Sequence, residues 1–416
     1  MPYNAINAFI EYNSGNEIPR NYVVWSMLYA LTAAVKKSVR IDWGYFKFSP
    51  EMYICLVGLA GSRKSSAKDI IRDIFTEAFP NYPIGYSRQS PADMIKRMAS
   101  DECLLSYTDC DGAPVEVRPL ALFLNEMSSL LTIDIEGMIG FLTDIYGSPL
   151  YDGSTISRGL EKVDNPCLSM LACQTTGWLI RHLKSEEVDS GFARRCIYVV
   201  ETGRGPRKAF PSPPAGWQKM REQLKNHLIK VGKLAGVFKM EADMLEFYKS
   251  WYEGLKFPED PLMEAWYSSK HVQALKVAMA LEMAEENPKL VLTRDNFEFA
   301  VALIDSLEPN MRKLTVAAGR NELSGPMQAI IERLTAAGGW MPEKLVMRDC
   351  ARDMTPDETF QAMRFLEKKT NEIIIWDHTF YNDDGSQAVT KRMVATPRKY
   401  KEVMLEALQK QKAAGG

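Results

Sequence analysis

Residues 52–66 read Met52-Tyr53-Ile54-Cys55-Leu56-Val57-Gly58-Leu59-Ala60-Gly61-Ser62-Arg63-Lys64-Ser65-Ser66. Six apolar or aromatic residues run into a glycine turn, and the helical pattern of Lys64 to Phe79 follows. Strand, glycine-rich turn and helix, in that order, are the context in which backbone N–H groups at a helix start can cradle a phosphate. The stretch Gly58-Leu-Ala-Gly-Ser-Arg-Lys-Ser-Ser66 meets the pattern G-x-x-x-x-G-K-[ST] at every place but one, because Arg63 stands where the last glycine is expected. Gly58, Gly61, Ser62, Arg63, Lys64, Ser65 and Ser66 are therefore the candidate nucleotide-binding residues. In this scheme Lys64 reaches the β- and γ-phosphates of ATP and Ser65 ligates Mg²⁺. The side chain of Arg63 sets the one question about close backbone approach, which glycine would allow freely.

Working outward, strand-like runs recur at Cys103 to Tyr107, Leu120 to Leu124, Cys167 to Cys173 and Cys196 to Val200. Helical patterns alternate with them at Pro91 to Ala99, Ile133 to Ile145 and Trp178 to Leu183, which predicts a three-layer α/β domain with a mainly parallel sheet. The helix-forming stretch Tyr22 to Val35 precedes it and reads as a leading helix packed onto that domain. Gly203 to Gly216, dense in Pro and Gly, reads as a linker, and the chain beyond is helical from about Trp217 to Ala318. Three short helices (Met327 to Ala337, Pro342 to Cys350, Pro356 to Lys369) and a hairpin from Ile373 to Val394 around Asn382-Asp-Asp-Gly385 give the pattern of a winged helix. The expected segments are 1–48, 49–205, 206–320, 321–400 and a C-terminal tail at 401–416, frayed from Gln409 to Gly416.

Composition narrows the class. The chain has 416 residues, 46% hydrophobic and 25% charged, with a formal net charge of −2. That is ordinary for a globular chain and excludes a wholly basic nucleic-acid-coating protein, though not a local basic channel. The seven cysteines are scattered, no C-x₂-C pair occurs, and only four histidines accompany them. A zinc site and a disulfide framework are both disfavoured, and a reducing, cytoplasmic setting is expected. Neither a signal peptide nor a membrane-spanning run can be read.

Hydrolysis needs an acidic group at the end of a neighbouring strand, and Leu120-Ala-Leu-Phe-Leu-Asn-Glu126 supplies one. Glu126 is the candidate general base for the attacking water, and Asn125 the candidate partner for the Mg²⁺ shell. Strand 167–173 ends in Gln174-Thr-Thr176, where Gln174 would contact the γ-phosphate or the water; the same residues would also serve as a helix cap. In Ser190-Gly-Phe-Ala-Arg-Arg195, Arg195, or Arg194 in second place, can reach a neighbouring subunit's nucleotide; a surface ion pair is the plainer reading.

Together these elements resemble the P-loop helicase family of phages and mobile elements, a primase-helicase-associated domain of unknown function. The matching pieces are Tyr53 to Ser65, Asn125-Glu126, Asn165-Pro-Cys-Leu-Ser-Met-Leu171 and Ser190 to Arg195. The order is also similar to the AAA+ core of the minichromosome maintenance helicases. That resemblance implies a P-loop NTPase (AAA+/ASCE) core, a helical lid and a C-terminal winged helix. It places the lid over Ser268 to Lys276 and Leu290 to Ala300, with Lys270 or Lys276 where the family has an arginine touching the γ-phosphate. It implies a pore hairpin at Ser154 to Val163, whose Arg158 and Lys162 would meet DNA phosphates; a plain solvated hairpin is the alternative. In the winged helix Arg364, Lys368 and Lys369 on the third helix and Lys391 with Arg392 on the wing would face DNA, unless the module binds protein instead. The implied activity is ATP-dependent, with Mg²⁺, in a homo-hexameric ring helicase or translocase on single-stranded or forked DNA. A primase or initiator partner and a bacterial host cytoplasm, with the protein encoded by a phage or mobile element, go with it. An AAA+ helicase loader or initiator that uses ATP as an assembly switch is the alternative, and a scaffold that has lost turnover a third.

Overall fold

The computed structural model describes residues 3–109, 112–155, 159–182, 191–203, 205–258, 261–319, 324–351, 354–368, 370–381 and 387–414. The chain divides into two compact units, residues 1–318 and 319–416.

In the first unit a short hairpin, β1 (Val39–Trp43) and β2 (Phe46–Phe48), leads into β3 (Tyr53–Gly58). β4 (Leu105–Thr108), β5 (Pro114–Leu124), the hairpin β6 (Leu150–Thr155) with β7 (Gly159–Asp164), β8 (Pro166–Thr175) and β9 (Cys196–Glu201) follow. The central sheet has the order β4-β5-β8-β3-β9. β5, β8, β3 and β9 run parallel, and β4 pairs antiparallel with the first half of β5. All six residues of β3 are buried, as are nine of the ten in β8, which requires cover on both faces of the sheet. The protein is thus a layered α/β fold with a mainly parallel sheet, as the alternation of runs predicts.

The helix Arg20–Ala34 is buried from Tyr22 to Ala34 without interruption, so it lies inside the core and not at its edge. Tyr22 donates its hydroxyl to the carbonyl of Val57 (2.7 Å), and Tyr29 donates to that of Leu122 (3.1 Å). One apolar core joins this helix to the sheet and to the helices Lys64–Ala78, Trp217–Val231, Pro261–Met283 and Arg294–Asp305. The stretch 217–318 is less uniformly helical than its composition suggests. β10 (Gly236–Val237) pairs with β1, and β11 (Lys239–Met240) with β12 (Val291–Leu292). The linker reading of 203–216 needs correction too. Residues 205–216 form a strap against the N-terminal segment, with Ser212 N–H donating to Gly15 O (3.2 Å). All six described cysteines are buried, as expected of small core residues.

The second unit has its own core, built on Ile330, Leu334, Val346, Cys350, Met363, Leu366 and Val394. Helices Ser324–Ala336, Glu343–Cys350 and Pro356–Lys368 pack with an antiparallel sheet of order β13-β15-β14, where β13 is Trp340–Pro342, β14 Ile374–Tyr381 and β15 Gln387–Ala395. The hairpin turn at 382–386 and Lys369 lie outside the described residues. The segment expected to fray from Gln409 is helical as far as Ala414, at the end of the helix Pro397–Ala414. Tyr400 packs edge-on against Trp376 (4.9 Å between ring centres) and Val403 is buried, so an apolar face gives this helix a reason to form. Among the described residues no helix is long and apolar enough to cross a membrane.

Two histidines, one buried and one half-buried, make the first unit's stability pH-dependent. Burial holds His227 below its usual pKa, with Nε2 2.9 Å from Met283 O, and burial likewise lowers His271. The unfolded chain takes up these protons near pH ~6.5, while the folded chain resists them until lower pH. Stability is therefore fully present above about 6.5 and lost as pH falls through the folded values. Urea midpoints measured from pH 7.5 to 5.5 are expected to fall less steeply in a His227→Gln/His271→Gln variant; equal slopes would sink this account.

Candidate functional site

The sheet register decides which predicted residues can meet. Gly58 lies opposite Thr175 and Val57 opposite Gln174, while Leu124 lies opposite Ala172. The loop 58–66, Asn125-Glu126 and Gln174 therefore emerge together at the carboxyl end of β3, β5 and β8. Crevices at carboxyl strand ends are where open α/β sheets receive ligands.

Gly58 has no room for a side chain. A Cβ there would lie 2.3 Å from the Tyr22 hydroxyl and 2.7 Å from Ser62 Oγ. Gly61 has φ +77°, a conformation natural to glycine. Arg63 has φ +65° and ψ +14°, so the left-handed geometry that a glycine would supply is present with an arginine in its place. Such a residue costs on the order of 1 kcal/mol. Its side chain turns away from the loop to Glu17, with Nε 3.0 Å and Nη2 2.5 Å from Oε2. The guanidinium is thereby directed to Glu17 and not across the loop. Lys64 is buried and donates to the carbonyls of Gly58 (3.2 Å) and Leu59 (3.1 Å). The helix Lys64–Ala78 has no acidic residue in its first turn, so its positive end is uncompensated and open to an anion. Ser65 and Ser66 are half-buried in that first turn.

Asn125 and Glu126 are both exposed. Glu126 caps the helix Met127–Leu131 in extended conformation, and its Oε2 accepts from Ser128 Oγ (3.3 Å). Gln174 is 1% exposed, and its Oε1 has no hydrogen-bond partner among the described residues. A buried amide oxygen without a partner costs roughly 1–3 kcal/mol, an expense common where a ligand or water completes the set. Beside it, burial pushes the Cys173 thiol up to about 12, so this cysteine is no nucleophile at neutral pH.

Other predicted residues lie elsewhere. Arg195 precedes β9, whose first residue pairs with Tyr53 at the start of β3, so it sits at the opposite end of the sheet. Five residue steps of strand separate the two ends, about 17 Å. Lys270 is buried and held by Asp305 (2.6 Å) and Glu308 (3.5 Å); Lys276 is buried and donates to Glu51 O (2.8 Å) and Tyr146 Oη (3.0 Å). Both lysines are engaged by partners of their own unit. Lys162 is exposed on β7 and paired with Asp164 (2.8 Å), while Arg158 lies outside the described residues. In the second unit Arg364 is exposed, its guanidinium over the Phe360 ring (5.0 Å), and Lys368 is exposed beside it. Both line a groove of about 140 Å³ that also holds Glu343, Glu367 and Arg392, so its charge is mixed.

Sequence reasoning missed the strap. A cavity of about 430 Å³ beside the loop is lined by Glu17, Gly61, Arg63, Gly205, Arg207 and Lys208. The Lys208 N–H donates to Glu17 Oε1 (2.9 Å), and this bond, then the one from Arg63, holds the Glu17 carboxyl below its usual range. The basic pair Arg207-Lys208 inside a Pro- and Gly-rich stretch was the available signal. Among the described residues no cluster of His, Cys, Asp and Glu could hold a metal ion by itself. The donor set at the loop, one serine, one amide and one carboxylate, fits a cation carried in on phosphates, as Mg²⁺ commonly is.

A scan against protein-family models gives no match, and a comparison with curated proteins gives none either.

The fit at Gly58 is testable by coupled substitution. Gly58→Ala is expected to cost about 1–3 kcal/mol by overpacking, and Tyr22→Phe about 1 kcal/mol by losing the bond to Val57. Because Tyr22→Phe removes the atom that the new Cβ meets, the double variant should lose clearly less than the sum in urea denaturation. Additive losses would mean that the hydroxyl is not what excludes a side chain.

Proposed function

We propose that this protein is an ATP-driven P-loop NTPase of the AAA+ kind, acting as a ring-forming DNA helicase or translocase in phage or mobile-element replication. The single observation that carries the reading is the convergence of Lys64, Glu126 and Gln174 at one end of three adjacent parallel strands. The left-handed backbone at Arg63 adds to it, because it keeps the loop geometry where the residue type departs.

In this reading the triphosphate lies across the N–H groups that open the helix Lys64–Ala78. Lys64 exchanges its two loop carbonyls for β- and γ-phosphate oxygens. The ribose and base have room in the cavity between Gly61 and the strap. Ser65 and Asn125 are the residues that would hold Mg²⁺, which would supply charge for the phosphates. Glu126 accepts a proton from water as the water oxygen bonds to the γ-phosphorus. The bond from that phosphorus to the β–γ bridging oxygen breaks, leaving ADP and phosphate. Gln174, buried beside the loop with an open acceptor, orients the water. An arginine of the turn Ala193–Arg195 completes the charge from a second copy, since within one copy that turn lies at the far end of the sheet. The helices after residue 206 act as the lid and unit two as a winged helix whose Arg364 and Lys368 approach DNA phosphates, with Lys162 of β7, and Arg158, meeting DNA in the pore. A bacterial cytoplasm is the setting.

One observation favours the loader or initiator as a second reading. Asn125 supplies no charge where a motor's strand end would carry an aspartate, which suits slow turnover and an assembly switch.

Purified protein is expected to hydrolyse ATP, faster with single-stranded DNA present. Glu126→Gln should lower kcat by about 10²–10⁴-fold while still binding nucleotide, and Lys64→Ala should abolish binding. Absence of hydrolysis with and without DNA would end the motor reading; hydrolysis without strand displacement on a forked duplex would favour the loader.

A further inference from the structure

The turn that ends at Arg195 presents two arginines in different ways. Arg195 is half-buried and folds inward, with Nη1 donating to Gly191 O (2.8 Å). Gly191 has φ +111°, and a Cβ there would come within 3.0 Å of that same Nη1. Arg194, one residue earlier, is exposed.

The turn is gripped from behind. Gln273, 3% exposed on the helix Pro261–Met283, donates Nε2 to the carbonyls of both Arg194 (3.4 Å) and Arg195 (3.2 Å). It stands in a buried polar ladder of one-turn spacing. Lys270 above it binds Asp305 and Glu308, and Lys276 below it binds Glu51 O and Tyr146. Two residues past Glu308, Asn310 donates to Val200 O (2.8 Å), next to Glu201, which lies opposite Gly58. The ladder thus runs from the phosphate-loop end of β9 to the arginine turn at its other end.

We infer that Arg194 is the residue presented to a neighbouring copy's nucleotide, and that Arg195 and Gln273 are positioning residues that fix the turn carrying it. This rests on the ATPase reading above. An exposed guanidinium on a turn anchored by two main-chain hydrogen bonds can be delivered at fixed geometry, whereas Arg195 would first have to leave its own carbonyl partner. Gln273 puts that geometry under the control of the helix Pro261–Met283.

The test uses the full chain with ATP and single-stranded DNA. Arg194→Ala is expected to lower kcat by ~10³-fold or more with nucleotide affinity unchanged. Mixing it with Lys64→Ala should restore hydrolysis, because an intact loop then faces an intact arginine. Gln273→Ala should lower kcat by roughly tenfold with KM unchanged, and Arg195→Lys should recover most of what Arg195→Ala loses. Nucleotide affinity reports that the Arg194, Arg195 and Gln273 variants are folded, and the far-UV circular dichroism spectrum does so for Lys64→Ala. If Arg195→Ala complements Lys64→Ala and Arg194→Ala keeps the wild-type rate, the assignment is overturned while the ATPase reading stands. An unchanged kcat in Gln273→Ala removes the positioning role. A wild-type protein without ATPase activity overturns the inference together with the reading beneath it.

Discussion

The pairing of β3 between β8 and β9, buried along its whole length, is the constraint on which the rest depends. A central parallel strand has its main-chain groups spoken for on both edges, and it releases the chain only at its ends. At the carboxyl end the Tyr22 hydroxyl takes the carbonyl of Val57 and leaves no volume beside Gly58 for a side chain. The backbone must turn there, and the turn places the start of the helix Lys64–Ala78 at the head of the sheet. The register that buries β3 also lines up Gln174 and, one strand further, Asn125-Glu126. The site is therefore a by-product of core pairing, with no separate device needed to gather it.

The same register separates what it does not gather. A parallel β9 has its first residue at the end of the sheet away from the loop, so any group on the turn Ala193–Arg195 faces away from the site of its own copy. What spans the two ends inside one copy is the helix Pro261–Met283, with Lys270, Gln273 and Lys276 on its buried face. Burying two lysines is costly unless each charge is met, and here each is: by two carboxylates in one case, by a carbonyl and a phenol in the other. Removing one partner would leave a charge stranded, so the ladder holds its helix in one register against the sheet.

Much of this was legible in the sequence and some was not, for physical reasons. A run such as Tyr53 to Val57, apolar at every position, can only be a strand covered on both faces or a buried helix segment, and the glycine turn decides between them. Asn125-Glu126 and Gln174 were found because they follow apolar runs of the same kind. The strap was missed because Pro and Gly report local stiffness and turning, not the distant segment they pack against; Ser212 meets Gly15 from almost two hundred residues away. The antiparallel direction of β4 and the short strand β13 depend likewise on pairing partners that no local pattern names. The terminal helix is not legible because its polar composition hides the two residues, Tyr400 and Val403, that anchor it.

Arg63 shows how a residue that breaks a pattern can keep the geometry the pattern encodes. Its backbone takes the left-handed conformation at a cost on the order of 1 kcal/mol. Its ion pair with Glu17 is solvent-screened and adds little, so stability alone does not explain an arginine there. What the arginine adds is connection, because the same carboxylate that receives its guanidinium also receives the Lys208 N–H of the strap. Glycine at this position would keep the loop and lose the tie. With arginine, the loop, the N-terminal segment and the strap share one carboxylate, and the cavity of about 430 Å³ between them has walls on three sides. The departure at position 63 is thus part of what shapes the space beside the loop.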